Sequence, residues 1–229
     1  MRTLRVHPVT GPPGAGKTTA LVSLDREHSW LSRFAVREYG LFLAETGHPL
    51  GLKMRDTLLH GELLPNDLVQ QEFAYYLSQL PDEVESVAVE GYPRDPEQCQ
   101  DLAEVVASVA GRLAGLIVLD VPDAVVLARV ANRRICTRCG LPADLPEGTC
   151  PSCGGPTAPR HDDARERLER RLRDFRTISA DVRSYFVQRR LLMVVDGLRG
   201  PDEVRRRLET LLAPDGHAWI GRPEAEEGR

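Results

Sequence analysis

The stretch Gly11-Pro12-Pro13-Gly14-Ala15-Gly16-Lys17-Thr18-Thr19 constrains this chain more than any other. It fits G-x-x-x-x-G-K-[ST]: glycines let successive backbone N–H groups curl around phosphate oxygens, Lys17 reaches the β/γ-phosphates, and the Thr18 hydroxyl ligates Mg²⁺. Its flanks agree, with a strand-like stretch over residues 4–9 and a helical one from Thr19, whose N-terminus faces the anion. Gly11, Gly14, Ala15, Gly16, Lys17, Thr18 and Thr19 are therefore the expected nucleotide-phosphate ligands. Pro8 is discordant, because a central parallel strand needs the N–H that proline lacks. It is expected at a strand start or a local bulge.

Downstream, strand and helix patterns alternate. Residues 33–36 fit a second strand. Helical spacing follows through Leu41, Leu43 and Ala44, breaks at Gly47-His48-Pro49, and resumes at Leu52, Met54, Leu58 and Leu59. A loop over residues 61–66 ends at Asn66, placed to cap a helix through Leu68, Val69, Phe73 and Leu77. Ser86-Val87-Ala88-Val89-Glu90 predicts a third strand closed by an acid, at the strand end where α/β folds gather ligand-binding groups. Helices over 97–112 and 123–134 enclose a strand over 116–121. A long charged helix over 162–189, a strand over 191–196 and a helix over 201–212 complete the pattern. The expected fold is α/β: a P-loop three-layer fold with a five-stranded parallel sheet covered on both faces. The polar tail over 214–229 reads as flexible, with Trp219-Ile220 touching the body.

A net charge of −4 argues against a general nucleic-acid binder. No continuous apolar segment signals export or membrane insertion, which leaves the cytoplasm as the expected location. Five cysteines without an export signal point to metal rather than disulfides. Cys136-x-x-Cys139 and Cys150-x-x-Cys153 form two knuckles, each followed by glycine; four thiolates at this spacing suit a closed, tetrahedral, structural Zn²⁺ site. The metal would then supply the folding energy of a Gly/Pro-rich excursion with few apolar residues. Cys99 reads as a small half-buried helix residue.

Arg94 follows the third strand, Arg129 and Arg133 lie one helical turn apart, Arg160 follows the knuckles, and Arg167, Arg170 and Arg171 ride the long helix. Singly each reads as a solvated or ion-paired residue. Together they suit a phosphoryl-transfer site, which needs several cations around its spreading charge.

In this order, GPPGAGKTT, the segment 61–69, Glu90-Gly91-Tyr92-Pro93-Arg94-Asp95-Pro96-Glu97-Gln98, the arginines 129 and 133, the four-cysteine excursion and Arg171 resemble the adenylate kinase and nucleoside monophosphate kinase family. The resemblance implies a core over 1–35, 81–133 and 162–213, an acceptor-binding helical insertion over 36–80, and a zinc-type lid over 134–161 that closes over ATP. It assigns Lys17 and the loop backbone to the donor phosphates, Arg129 to the adenine face, and Arg133, Arg160 and Arg171 to the moving phosphoryl group. Arg94 would clamp the acceptor phosphate, Gln98 would read the acceptor base, Leu64 and Gly91 would line its site, and Thr18 and Glu90 would serve Mg²⁺.

The chain departs from the family pattern where acceptor recognition is expected. The family's Ser/Thr-Gly-Asp segment is followed, three residues after the acid, by an arginine; here the register gives Val36-Arg37-Glu38-Tyr39-Gly40-Leu41, with Leu41 in that arginine's place. Arg37 could substitute from one turn away. The expected function is transfer of the γ-phosphoryl group of Mg·ATP onto AMP or an AMP-like monophosphate, by a monomer. Two alternatives stand beside it. One is a kinase for a specialised small molecule, whose hydroxyl would need Glu38 or Glu90 as base. The other is a non-catalytic zinc- and ATP-binding protein, or a zinc-ribbon nucleic-acid binder, disfavoured by 5% aromatic content.

Overall fold

The structure is a computed structural model and describes residues 3–60, 62–131, 134–138, 142–143, 149–151, 153–159 and 165–215. Arg133, Arg160, Cys139 and the Trp219-Ile220 pair fall outside the described residues.

Five parallel strands, β1 (Arg5–Thr10), β2 (Leu31–Ala35), β3 (Ser86–Glu90), β5 (Leu116–Asp120) and β9 (Leu192–Asp196), stand in the order β2-β3-β1-β5-β9. A two-residue strand, β4 (Arg112–Leu113), adds to β1 ahead of β5. Alternation along each strand sorts its side chains between two cores. Ile117 and Leu119 join Leu21, Leu24, Leu208 and Leu212 of α1 (Lys17–Glu27) and α8 (Pro201–Leu212), whereas Leu116 and Val118 meet Cys99 of α5 (Pro96–Ser108) and Phe186 of α7 (Arg165–Gln188). The expected three-layer α/β fold is the one observed. Cys99 is fully buried rather than half-buried, because the face of α5 that carries it packs on β5.

Pro8 sits inside β1 rather than at its start, paired with Val89. The Leu4 and Val6 carbonyls accept from Arg112 and Ala114, so by alternation the Pro8 nitrogen faces this same side. There β4 has ended and β5 has not begun: pairing with β1 resumes only at Val9 and Thr10. The interruption thus lies in the neighbouring strand, and no ladder donor is demanded of the proline.

Between β2 and β3 the chain forms α2 (Val36–Glu45), α3 (Pro49–His60) and α4 (Asn66–Ser78). Phe34, Phe73 and Tyr76 hold this group to the sheet, with Phe34 5.0 Å from Phe73 and 4.9 Å from Tyr76 between ring centroids. A Cβ on Gly51 would lie 2.2 Å from the Ala44 nitrogen, so only glycine lets α3 approach α2 this closely. Asn66 does not cap α4. Pro65 occupies that position without a side-chain bond, and Asn66 instead donates to Glu97 Oε2 at 2.9 Å and accepts from Gln98 Nε2 at 2.8 Å, tying α4 to α5.

After α6 (Asp123–Val130) comes a small antiparallel sheet of β6 (Arg134–Cys136), β7 (Pro142–Ala143) and β8 (Thr157–Pro159), ordered β7-β6-β8. The 24-residue α7 then spans about 36 Å. Its first half gives Leu168 and Leu172 to one core and its second gives Val182 and Phe186 to the other. Arg176 fixes it between them, donating to the Val121 carbonyl at 2.7 Å and to Asp123 Oδ1 at 2.7 Å.

Candidate active site

The C-terminal ends of β1, β2 and β3 open into one cleft of about 2430 Å³. A single drug-sized ligand fills roughly 300–1,000 Å³, so the cleft has room for two. Gly11, Gly14, Ala15, Gly16, Lys17, Thr18, Thr19, Glu90, Gly91, Arg94, Arg129, Arg171 and Arg37 all line it.

The loop is shaped by close approach. A Cβ on Gly14 would lie 2.5 Å from Val130 Cγ2, and Gly16 adopts φ 93° at the N-cap of α1. No side chain caps that helix, which leaves its first-turn N–H groups turned toward an anion. Lys17 Nζ donates to the Gly11 and Pro12 carbonyls at 2.6 and 3.0 Å, so its ammonium lies within the loop's own curve.

Across from the loop, Glu90 ends β3. Its Oε1 accepts from the Thr18 hydroxyl at 2.5 Å, and its Oε2 accepts from Arg33 Nη2 at 2.6 Å. Arg33 also donates to Glu38, from Nη1 to Oε2 at 2.7 Å and from Nη2 to Oε1 at 2.9 Å. Burial alone would raise the Glu90 pKa, but Arg33, the Lys17 charge and the Thr18 hydroxyl outweigh it and hold the carboxyl below its usual range. Burial likewise works against the Arg33 charge, and the two carboxylates more than restore it. Thr18 and Glu90 offer adjacent hard oxygen donors, a set that fits Mg²⁺.

Beyond β3, Asp95 caps α5 by accepting from Gln98 N at 2.8 Å, and Pro96 occupies the first turn. That turn presents Arg94, whose Nε donates to the Gly91 carbonyl at 2.8 Å. The cleft walls partly desolvate its guanidinium and Arg171 faces it with a like charge, both lowering its pKa. Both arginines line the cleft, where a bound anion would relieve that repulsion. Arg129, at the far end, donates to the Gly197 carbonyl at 2.9 Å.

Two residues expected at the acceptor do not line the cleft. Gln98 is 5% exposed, with its Oε1 accepting from the Arg94 backbone N–H at 2.8 Å and its Nε2 given to Asn66, and Leu64 is buried. Leu41 does line it, with Phe42, Leu59 and Leu63, and Arg37 donates to the Leu58 carbonyl.

Cys136, Cys150 and Cys153 bring their sulfurs within 4.8 Å of one another, and the Cys136–Cys153 separation is 3.5 Å. Tetrahedral zinc–thiolate geometry places sulfurs about 3.8 Å apart. The cluster fits that ion.

The adenylate kinase family model matches residues 9–191 of this chain. The chain belongs to the adenylate kinase family. Among its relatives, the adenylate kinase of Carboxydothermus hydrogenoformans is 29% identical over 89% of this chain and 97% of its own length. That of Thermosipho melanesiensis is 32% identical over 88% and 96% respectively, and that of Symbiobacterium thermophilum 30% over 85% and 92%. Within this family member, Arg33 is a site residue that the sequence hardly marks: it stands inside a short apolar run, and its one signal is a guanidinium two positions from the end of a buried strand.

Proposed function

We propose that this chain transfers the γ-phosphoryl group of Mg·ATP onto AMP or an AMP-like monophosphate. The observation that carries this reading is the convergence in one cleft of the amide-lined loop, the Thr18–Glu90 pair and the facing Arg94 and Arg171. The bond from the γ-phosphorus to its bridging oxygen breaks, and a bond to an acceptor phosphate oxygen forms. An acceptor phosphate has a second pKa of about 6, so it is largely ionised at neutral pH and needs no base.

Loop amides and Lys17 would hold the donor phosphates, Arg129 would pack on the donor base, and Arg94 and Arg171 would neutralise charge around the reacting group, joined by Arg133 and Arg160. Thr18 and Glu90 would hold the magnesium ion, which would supply positive charge to offset that of the donor phosphates. Residues 36–80 would carry the acceptor and 134–161 would close over ATP, excluding water. Cys136, Cys139, Cys150 and Cys153 would hold a structural zinc in that lid. The reading carries a monomer working in the cytoplasm; among the described residues, no helix is long and apolar enough to cross a membrane.

The hydroxyl-acceptor reading loses ground. Both oxygens of Glu38 accept from Arg33, and both oxygens of Glu90 are occupied by Thr18 and Arg33, so neither carboxylate stands ready as a base.

The test is an assay of ATP consumption against each common nucleoside monophosphate, run on the wild type, Lys17→Ala and Arg94→Ala. Turnover of AMP or a close analogue that falls by roughly 10²-fold or more in both variants is expected. No turnover with any monophosphate, or full turnover in both variants, would overturn the reading.

A further inference from the structure

On the wall between the donor loop and the first turn of α2, two carboxylates, Glu38 and Glu90, share one guanidinium. That guanidinium, Arg33, is nearly enclosed, with its side chain 7% exposed. It makes two bonds to each acid, the longest of the four 3.1 Å from Nε to Glu90 Oε2. Arg33, Glu38 and Glu90 all line the cleft, together with Arg37 and Leu41.

Helical spacing sets Glu38 and Leu41 on one face of α2, three residues apart. A phosphate approaching that face meets a carboxylate at Glu38 and no cation at Leu41. Two acids beside an incoming dianion repel it unless a positive charge between them cancels part of theirs. An arginine suits this place because its planar fork serves both carboxylates at once, which a lysine ammonium cannot do.

We propose that Arg33 is a positioning residue for the acceptor: bridging Glu38 and Glu90, its guanidinium cancels the carboxylate charge on the wall where the acceptor phosphate settles, and so supplies from β2 the positive charge that α2 lacks at Leu41. The inference rests on the phosphoryl-transfer reading above. It adds to that reading a residue and a charge balance specific to the acceptor half.

The test measures AMP and ATP affinity by calorimetry without metal, and the AMP KM at saturating Mg·ATP, for the wild type, Arg33→Gln, Glu38→Gln and the double variant, each checked for cooperative unfolding. Arg33→Gln is expected to weaken AMP binding and raise the AMP KM about tenfold or more. ATP affinity should fall several-fold less, because Lys17 and the loop amides are intact. Adding Glu38→Gln should restore AMP binding to within about threefold of the wild type, a rescue through charge that a merely structural role would not give. Should Arg33→Gln fail to fold, Glu38→Gln alone decides, since removing that charge should leave AMP affinity equal or higher.

Equal loss of AMP and ATP affinity, absence of rescue, or weakened AMP binding in Glu38→Gln would overturn the role given to Arg33 while leaving the kinase reading intact. A wild type that neither binds nor phosphorylates any monophosphate would overturn both.

Discussion

The Thr18 hydroxyl donates to Glu90 Oε1 across 2.5 Å, joining the first turn of α1 to the end of β3. The two residues are 72 positions apart, and they meet because β1 and β3 pair in register from Arg5↔Ser86 to Val9↔Glu90. Parallel neighbours end together, so a hydroxyl just beyond one strand and a carboxylate ending the other form a single donor set.

Glu90→Gln keeps the shape of that pair and removes its charge. Mg²⁺-dependent turnover should fall by roughly 10²-fold, while ATP binding measured without metal should change little. A turnover within about threefold of the wild type would remove Glu90 from the Mg²⁺ set. Glu90→Asp, which keeps the charge but shortens the reach, should fall between the two.

The zinc cluster gives a second prediction. Cys136 and Cys150 are buried and, with Cys153, hold their sulfurs within 4.8 Å. Thiolates so close repel one another unless a cation joins them. Purified protein should contain about one zinc per chain. Stripping it with a chelator, or introducing Cys136→Ser, should lower the melting temperature. A metal-free protein whose melting curve is indifferent to added zinc would contradict the assignment.

Much of this architecture was legible in the chain because its signals are local. The β-branched run at residues 86–90 marks β3, and Asp95-Pro96 marks the start of α5 through capping and a fixed φ. The loop glycines announce their own geometry. What stayed hidden is set by long-range pairing. Asn66 has the chemistry of a cap, but α5 presents Glu97 and Gln98 to it, and two side-chain bonds outcompete one. Gln98, expected at the acceptor base, has both its ends taken by the Arg94 N–H and Asn66. Pro8 looks misplaced until the break between β4 and β5 is seen beside it. Arg33 gains its meaning only from Glu38 and Glu90 together.

Glu72 of α4 is fully buried, and among the described residues neither of its carboxylate oxygens has a hydrogen-bond partner of good geometry. Burial pushes its pKa up to about 9, and the Gly40 backbone offsets only part of that. The folded chain therefore holds a proton that the unfolded chain releases. This favours folding fully below about pH 4.5, and the advantage is lost as pH rises toward 9. Glu72→Gln should melt near the wild type at pH 5 and roughly 5–10 °C higher at pH 9, a gain of a few kcal/mol. A constant offset across that range would show that the carboxyl is not the titrating group.

His7 sets the opposite slope. It lies fully buried on β1, where burial first, and then the charges of Arg5 and Arg112, press its pKa down to about 3; the Gly115 backbone opposes them only in part. Arg5 is fixed beside it, reaching the carbonyls of Ala213 and Leu211 at the end of α8. Below about pH 6.5 the unfolded chain takes up a proton that the folded one refuses, so stability present above that pH drains away as pH falls toward 3. His7→Leu removes the titrating group while keeping apolar bulk among its neighbours. Between pH 7 and pH 4 its melting temperature should fall several degrees less than that of the wild type, the limit being several kcal/mol from the depressed pKa. Parallel melting curves for the two proteins over that interval would place the acid sensitivity elsewhere, as at Glu90, whose depressed carboxyl would give up its bond to Arg33 on protonation.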